Sequence, residues 1–353
     1  MNAIWHNRGG ITVIKAKTLS VFVIGCLLCL FALAAHGQDA KGLPKTLSIA
    51  THPKGSLMNF IGGGFAKVVT SHTPMKASDR PFTGYMAWVP LMNAGELDMG
   101  ILNSPESVAA YMGEGPYKQP LKNIRLVSSG ASILLSYVIR ADSNIKTMAD
   151  LKGKRVAIDR ASYTTKQQNE MVIAAAGLDL KKDIIAVPVA GVAELMSGIM
   201  DGRADAGWGS VGSSQVKEVA GRVGGLRWLS VCSSSDDAAA KFIKEKKTGS
   251  RVVYIKAGQD PDVKNDAWVI GIVIYLAGNK NLSDEAVYEV AKAAWQNQKE
   301  LEAIHPIFKE WTPNNVVSPD VTIPYHSGAI RFYKEVGAWS DAMDKLQKQL
   351  LVR

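Results

Sequence analysis

Few residues in this chain are arranged for bond-making chemistry. The 6 histidines (His6, His36, His52, His72, His305 and His326) stand apart with no paired ligand spacing, so no metal centre is expected. Neither a Gly-x-Ser-x-Gly elbow nor a phosphate loop occurs, and no cofactor site is read. Cys232 is a lone thiol without a neighbouring histidine. Gly62-Gly63-Gly64 falls inside a helical pattern and reads as close packing against a sheet. What the residue types do suit is capture. Hydroxyl- and glycine-bearing loops sit where strand patterns give way to helical ones, and the free amides of a helix start attract negative charge.

The elements that must position these loops alternate along the chain. Thr46 to Ala50 has the period of a strand. A loop, His52 to Ser56, then leads into a helical pattern from about Leu57 to Ser71. Further strands are read at Leu97 to Leu102, Leu134 to Arg140, Val156 to Ile158, Ile185 to Val189 and Ala204 to Trp208. Helices are read at Glu170 to Ala176 (stopped by Gly177), at Val192 to Asp201, and from an N-cap at Ser283 to about His305. The β-branched run Trp268 to Leu276 reads as a buried central strand, and Pro90 should kink or delay the helix after Gly84. This rhythm predicts parallel sheets with crossover helices, an α/β class.

The first residues predict the compartment. Arg8, Lys15 and Lys17 precede an apolar run from Leu19 to about Ala35, and polar Gly37-Gln38-Asp39 follows at once. That pattern predicts a cleavable signal peptide over residues 1–37 and a periplasmic protein. A membrane anchor is the alternative, disfavoured by the small-residue exit and the lack of a basic flank after the run. Cys26 and Cys29 fall in the leader, so no intramolecular disulfide is expected. The formal charge of +9 includes the leader's bases and leaves the rest mildly positive. The densest basic stretch, Lys241 to Lys247, contains Glu245 and reads as a solvated helix end, so nucleic acid is excluded as a partner.

The sequence resembles the TAXI family of TRAP-transporter solute receptors over the length that follows the leader. The likeness is carried, in order, by Leu47 to Ser56, by Asn93-Ala94-Gly95-Glu96-Leu97-Asp98-Met99-Gly100, and by Gly113-Glu114-Gly115-Pro116-Tyr117. It continues in Asp150-Leu151-Lys152-Gly153-Lys154-Arg155-Val156 and in Ile304-His305-Pro306 with Trp311 to Asn315. The resemblance implies a type II periplasmic binding-protein fold, two lobes around a ligand cleft. Lobe 1 would be discontinuous (45–138 and 255–353), lobe 2 would span 139–254, and Trp268 to Leu276 would belong to the N-terminal sheet. It further implies a monomer that binds a small organic anion, performs no catalysis and delivers its solute to membrane permease subunits. A binding protein of an ATP-driven importer and a periplasmic enzyme on the same fold are the alternatives.

Ligands of open α/β sheets lie beyond the carboxyl ends of strands. The ligand-binding residues expected there are Thr51, Lys54, Gly55, Ser56 and Leu57 in the first loop, Thr83 in the second, and Asn103 with Ser104 in the third. Arg160, Ser162, Tyr163, Thr164 and Thr165 are expected after the second lobe's first strand, and Trp208 after a later one. The resemblance implies an arginine clamp on the ligand carboxylate in the main receptor family. The matching position here is Ala157, which leaves Lys54 and Arg160 as replacements. Tyr85 and Trp208 are read as apolar walls, Trp88 as core, and Ser162 with its neighbours as both helix cap and anion ligands.

Overall fold

The computed structural model describes residues 42–159 and 162–353; the predicted leader and Arg160 lie outside the described residues. Among the described residues ten strands form one sheet: β1 (Thr46–Thr51), β2 (Lys76–Pro81), β3 (Met99–Asn103), β4 (Ile124–Arg140), β5 (Arg155–Asp159), β6 (Ile185–Val189), β7 (Ala206–Ser210), β8 (Leu226–Trp228), β9 (Ser250–Ile255) and β10 (Ala267–Asn279). The order is β2-β1-β3-β10-β4-β7-β5-β6, with β8 on β4 and β9 on β10. Pairing is parallel at both flanks, β1 with β2 and β3, and β5 with β6 and β7. In the middle, β10 runs antiparallel to β3, β4 and β9, and β4 runs antiparallel to β7. Crossover helices supply the parallel pairs, as the alternation predicts.

Two apolar clusters divide the buried side chains. One gathers Leu47, Phe65, Trp88 and Ile101 with the C-terminal Phe308 and Tyr333; the other gathers Val156, Val172, Leu195, Trp208 and Trp228. The two long central strands join them. Leu126 and Val127 of β4 belong to the first cluster and Tyr137 to Ile139 to the second. In β10, Val269, Ile270 and Ile272 sit in the second cluster and Val273 to Ala277 in the first. The run Trp268 to Leu276 is therefore a buried central strand shared between two cores, not a member of the first sheet alone. An unbroken apolar run fits both, because each face of each half is covered.

Local chemistry explains most boundaries. Ser162 Oγ accepts from Thr165 N at 3.2 Å and starts the helix Tyr163–Ala175. Ser283 Oγ does the same for Ala286 N at 3.2 Å, opening Asp284–Gln296. That helix ends at Asn297 (φ −118°, ψ 33°), and a separate turn, Gln298–Ile304, continues to His305. The helix Tyr85–Ala94 starts directly after Gly84 and runs through Pro90 without delay. Pro90 only deprives the Met86 carbonyl of its donor there. In Leu57–His72, a Cβ on Gly62 would lie 2.2 Å from Thr51 Cγ2 on β1, so the glycine is the close approach of helix to sheet.

Candidate functional site

The strand ends of the two halves meet at a cleft of about 420 Å³. From the first half come His52, the start of the helix Tyr85–Ala94 with Thr83 and Gly84 before it, Glu106 and Pro116; from the second come Ser162 and Tyr163. Two helices therefore open their first turns on the cleft, Tyr85–Ala94 and Tyr163–Ala175. Their unpaired amides and dipoles give this space a preference for anions. Two other concavities are as large, about 440 Å³ around Trp228 and about 480 Å³ around Arg251. Neither is bounded by two helix starts, and the interlobe cleft is the better candidate on that ground.

Glu106 is the most unusual group in the lining. It is 2 % exposed, and its backbone N–H donates to Asn103 Oδ1 at 2.8 Å, the cap of the helix Ser104–Met112. Tyr117 donates its hydroxyl to Glu106 Oε1 at 2.6 Å, and Thr164 donates to Oε2 at 2.8 Å. Burial pushes the carboxyl's pKa up, while those two hydrogen bonds pull it back. Tyr163, one residue away from Thr164, packs on the first cluster, and a Cβ on Gly115 would lie 2.1 Å from its ring. The second half is thus seated on the first through Thr164 and Tyr163.

Aromatic rings complete the lining. His52 and Tyr85 have ring centroids 4.3 Å apart, and Asn103 Nδ2 donates to the Tyr85 hydroxyl at 3.1 Å. Burial lowers the His52 pKa, so the ring is neutral near neutral pH, and its Nε2 has no protein partner. Tyr85 is also pushed up, chiefly by burial and next by the charge of Glu106. Among the described residues of the lining, Glu106 is the one carboxyl, and no lysine or arginine is present.

Of the sequence-predicted residues, Thr83, Ser162 and Tyr163 line the cleft. Thr164 and Asn103 reach it through their bonds to Glu106 and Tyr85. Thr165 lies behind the lining, its N–H held by the Ser162 cap and its carbonyl by Asn169. The first loop lies away from the cleft except at His52. Thr51 is buried and accepts from Asn59, and the Gly55 N–H is spent on Asn59 Oδ1 at 3.2 Å. Lys54 is exposed, Ser56 caps its own helix, and Leu57 packs at the edge of the first core. Ser104 is buried between the halves, donating to Gly249 O at 2.6 Å and accepting from Val273 N at 2.9 Å. Trp208 is not a cleft wall: it is 4 % exposed, edge-on to Tyr137 in the second core. Its neighbour across the strand pair is Tyr137 of β4, so the ring is spent on packing. Trp88 is core, as expected.

Sequence reasoning missed Glu106 and His52. Glu106 follows the Asn103 cap by three residues, which reads as ordinary helix-start chemistry. His52 has no partner at metal-ligand spacing, so nothing in the sequence marks it as part of a site. Among the described residues no group of three or more His, Cys, Asp or Glu could hold a metal ion. Cys232 is buried, and burial pushes its thiol up to about 12, which removes the thiolate a nucleophile needs. No helix of the described residues is long and apolar enough to cross a membrane.

The model of the NMT1-like family matches residues 49–337. Among solved structures, the chain is similar to PhnD1 from Prochlorococcus marinus in complex with methylphosphonate. The TM-score is 0.50 at 13% identity, over 84% of this chain and 99% of that one. It is also similar to a TctC solute binding protein from Polaromonas, with TM-score 0.48 and 18% identity over 73% and 86% of the two chains. The periplasmic aliphatic sulphonate binding protein SsuA from Escherichia coli gives 0.46 and 16% over 88% and 100%. At such identities the likeness is one of fold, and the fold is the two-lobed α/β architecture of periplasmic binding proteins.

Proposed function

The chain belongs to the NMT1-like family, and on that premise we propose that it is an extracytoplasmic solute receptor that performs no chemistry. In this reading it is a monomer, exported by a leader over residues 1–37 that is then removed. Lobe 1 (45–138 and 255–353) and lobe 2 (139–254) close over a small organic carboxylate and hand it to a membrane permease. The observation that carries the reading is the cleft itself: two helix starts, one from each half, open on one space. A carboxylate placed there meets free amides of Tyr85–Ala94 and of Tyr163–Ala175 at once, so binding favours the closed arrangement.

A TRAP-type secondary transporter of the TAXI kind is the partner that the sequence resemblance supports; an ATP-driven importer is the second partner to be tested. The deciding experiment has two parts. Thermal shift against monocarboxylates, dicarboxylates, amino acids and methylphosphonate should reveal a solute that raises the melting temperature. The bound solute, released by denaturation, should be recovered chemically unchanged; turnover of it would overturn the reading. Uptake in vesicles driven by an ion gradient and not by ATP would assign the permease class.

A further inference from the structure

We propose that the cavity of about 480 Å³ around Arg251 is a second binding site, for a polyanion that carries phosphate groups. It shares no lining residue with the interlobe cleft, so the inference stands apart from the receptor reading.

The cavity lies where the two cores meet. Ala240 and Ile243 of its lining belong to the second core and Val273 to the first. Its bases include Lys244, Lys247 and Arg251, and Asp320 is the one side-chain carboxyl in the lining. The Arg251 fork is already engaged: Nη1 donates to Asp320 at 3.1 Å and Nη2 to Ser132 Oγ at 2.9 Å. The geometry that would grip a planar carboxylate with two parallel bonds is therefore taken. Among the described residues, Lys244 and Lys247 enter no ion pair. Their ammonium groups are point charges, which suit the oxygens of a tetrahedral phosphate. Ser250 lines the same cavity, and its Oγ has no hydrogen-bond partner among the described residues. An anion oxygen would supply the acceptor that this hydroxyl lacks.

The backbone points to the same place. Lys247 follows the C-cap of the helix Ala238–Glu245, and among the described residues it is the one non-glycine residue in the left-handed region, at φ +49°. Glycine takes that conformation freely and lysine does not. Favourable charge at a helix C-terminus accounts for bases in this turn. It does not account for a lysine kept where glycine would be more stable. Backbone strain of this kind gathers at ligand sites, and here it fixes where the Lys247 side chain leaves the turn.

The test uses the full-length protein as wild type, Lys247→Gly and Lys244→Gln, with pyrophosphate and citrate as probes in calorimetry. Wild type should bind pyrophosphate about 10-fold or more tightly than citrate, and each variant should lose about 10-fold of that affinity, as loss of a charge-assisted hydrogen bond implies. Lys247→Gly should at the same time melt at a higher temperature than wild type, because its strain is relieved. Solute binding in the cleft should be unchanged in both variants. Co-sedimentation with phosphatidylglycerol vesicles, lost in the same variants and absent with phosphatidylcholine, would assign the phosphate to a lipid headgroup; pyrophosphate binding alone would assign it to a soluble ligand. If Lys247→Gly fails to fold, Lys244→Gln carries the test. Citrate binding as tight as pyrophosphate, variants that keep the wild-type affinity, or no binding to either pyrophosphate or the acidic vesicles overturns the proposal. Any of these leaves the receptor reading intact, since that reading is decided by the solute screen.

Discussion

Thr164 donates its hydroxyl to Glu106 Oε2 at 2.8 Å, and in doing so ties a helix of one half to a helix of the other. The bond is buried, so its loss leaves an oxygen of Glu106 short of a donor.

Thr164→Val keeps the shape and removes the donor. The closed arrangement should lose about 1.5–3 kcal/mol, the range for a hydrogen bond to a charged group. Small-angle scattering should show a larger radius of gyration for the variant, and Thr164→Ser should restore the wild-type value. Equal radii for all three proteins would mean that the halves are held by other contacts.

Gly115 offers a second way to open the cleft. Its φ is +61°, and a Cβ would lie 2.1 to 2.5 Å from the Tyr163 ring. Gly153 has φ +72° with nothing within 4 Å of the same point. Alanine at either position costs about 1–2 kcal/mol of backbone strain. Only Gly115→Ala should also displace Tyr163, and it alone should weaken solute binding, by about tenfold or more. Affinities measured side by side give the comparison. The same loss in Gly153→Ala would show that backbone strain, and not the ring contact, is responsible.

The α/β class, the caps at Ser162 and Ser283 and the core position of Trp88 were legible because each depends on neighbours in sequence. The loop from Ser162 was legible for the same reason, since a strand end followed by a capped helix start is a local pattern. Glu106 was not. Its neighbours in sequence make it a helix-start carboxyl; its role depends on Tyr117 and on Thr164, which is 58 positions away. The sharing of β10 between two cores was hidden too, because hydrophobicity reports burial and not which core receives the side chain. Trp208 failed by the reverse error, a residue at a strand end whose ring turns inward against Tyr137.

The glycine triplet separates packing from propensity within one helix. A Cβ on Gly62 would lie 2.2 Å from Thr51 Cγ2, whereas one on Gly63 meets nothing within 4 Å. Gly62→Ala should push the helix Leu57–His72 off β1 and cost about 1–3 kcal/mol, as overpacking does. Gly63→Ala should stabilise by about 0.5–1 kcal/mol, because it removes backbone freedom from the unfolded chain. Urea melts of the two variants should shift in opposite directions. A shared direction would place Gly62 in open space.

Asp262 gives the fold a dependence on pH that is separate from the cleft. It is 3 % exposed, and the Gly212 N–H donates to both of its oxygens, at 3.3 and 3.2 Å. Burial, and then its neighbour Asp260, pushes its carboxyl up to about 6. A raised acid favours folding in its protonated form. Its contribution is fully present below the ordinary aspartate value and is lost as pH rises through about 6. Asp262→Asn mimics the protonated group and keeps an oxygen for Gly212, so the variant should escape that loss. In urea melts from about pH 4 to about pH 7.5, the variant's stability relative to wild type should rise up to about pH 6 and level off above it. Asp260, held low chiefly by its hydrogen bond with Asp262 and also paired with Lys217 at 3.0 Å, titrates below this window and cannot produce the same trend. A difference that stays flat across the range would show that the Asp262 carboxyl is not raised.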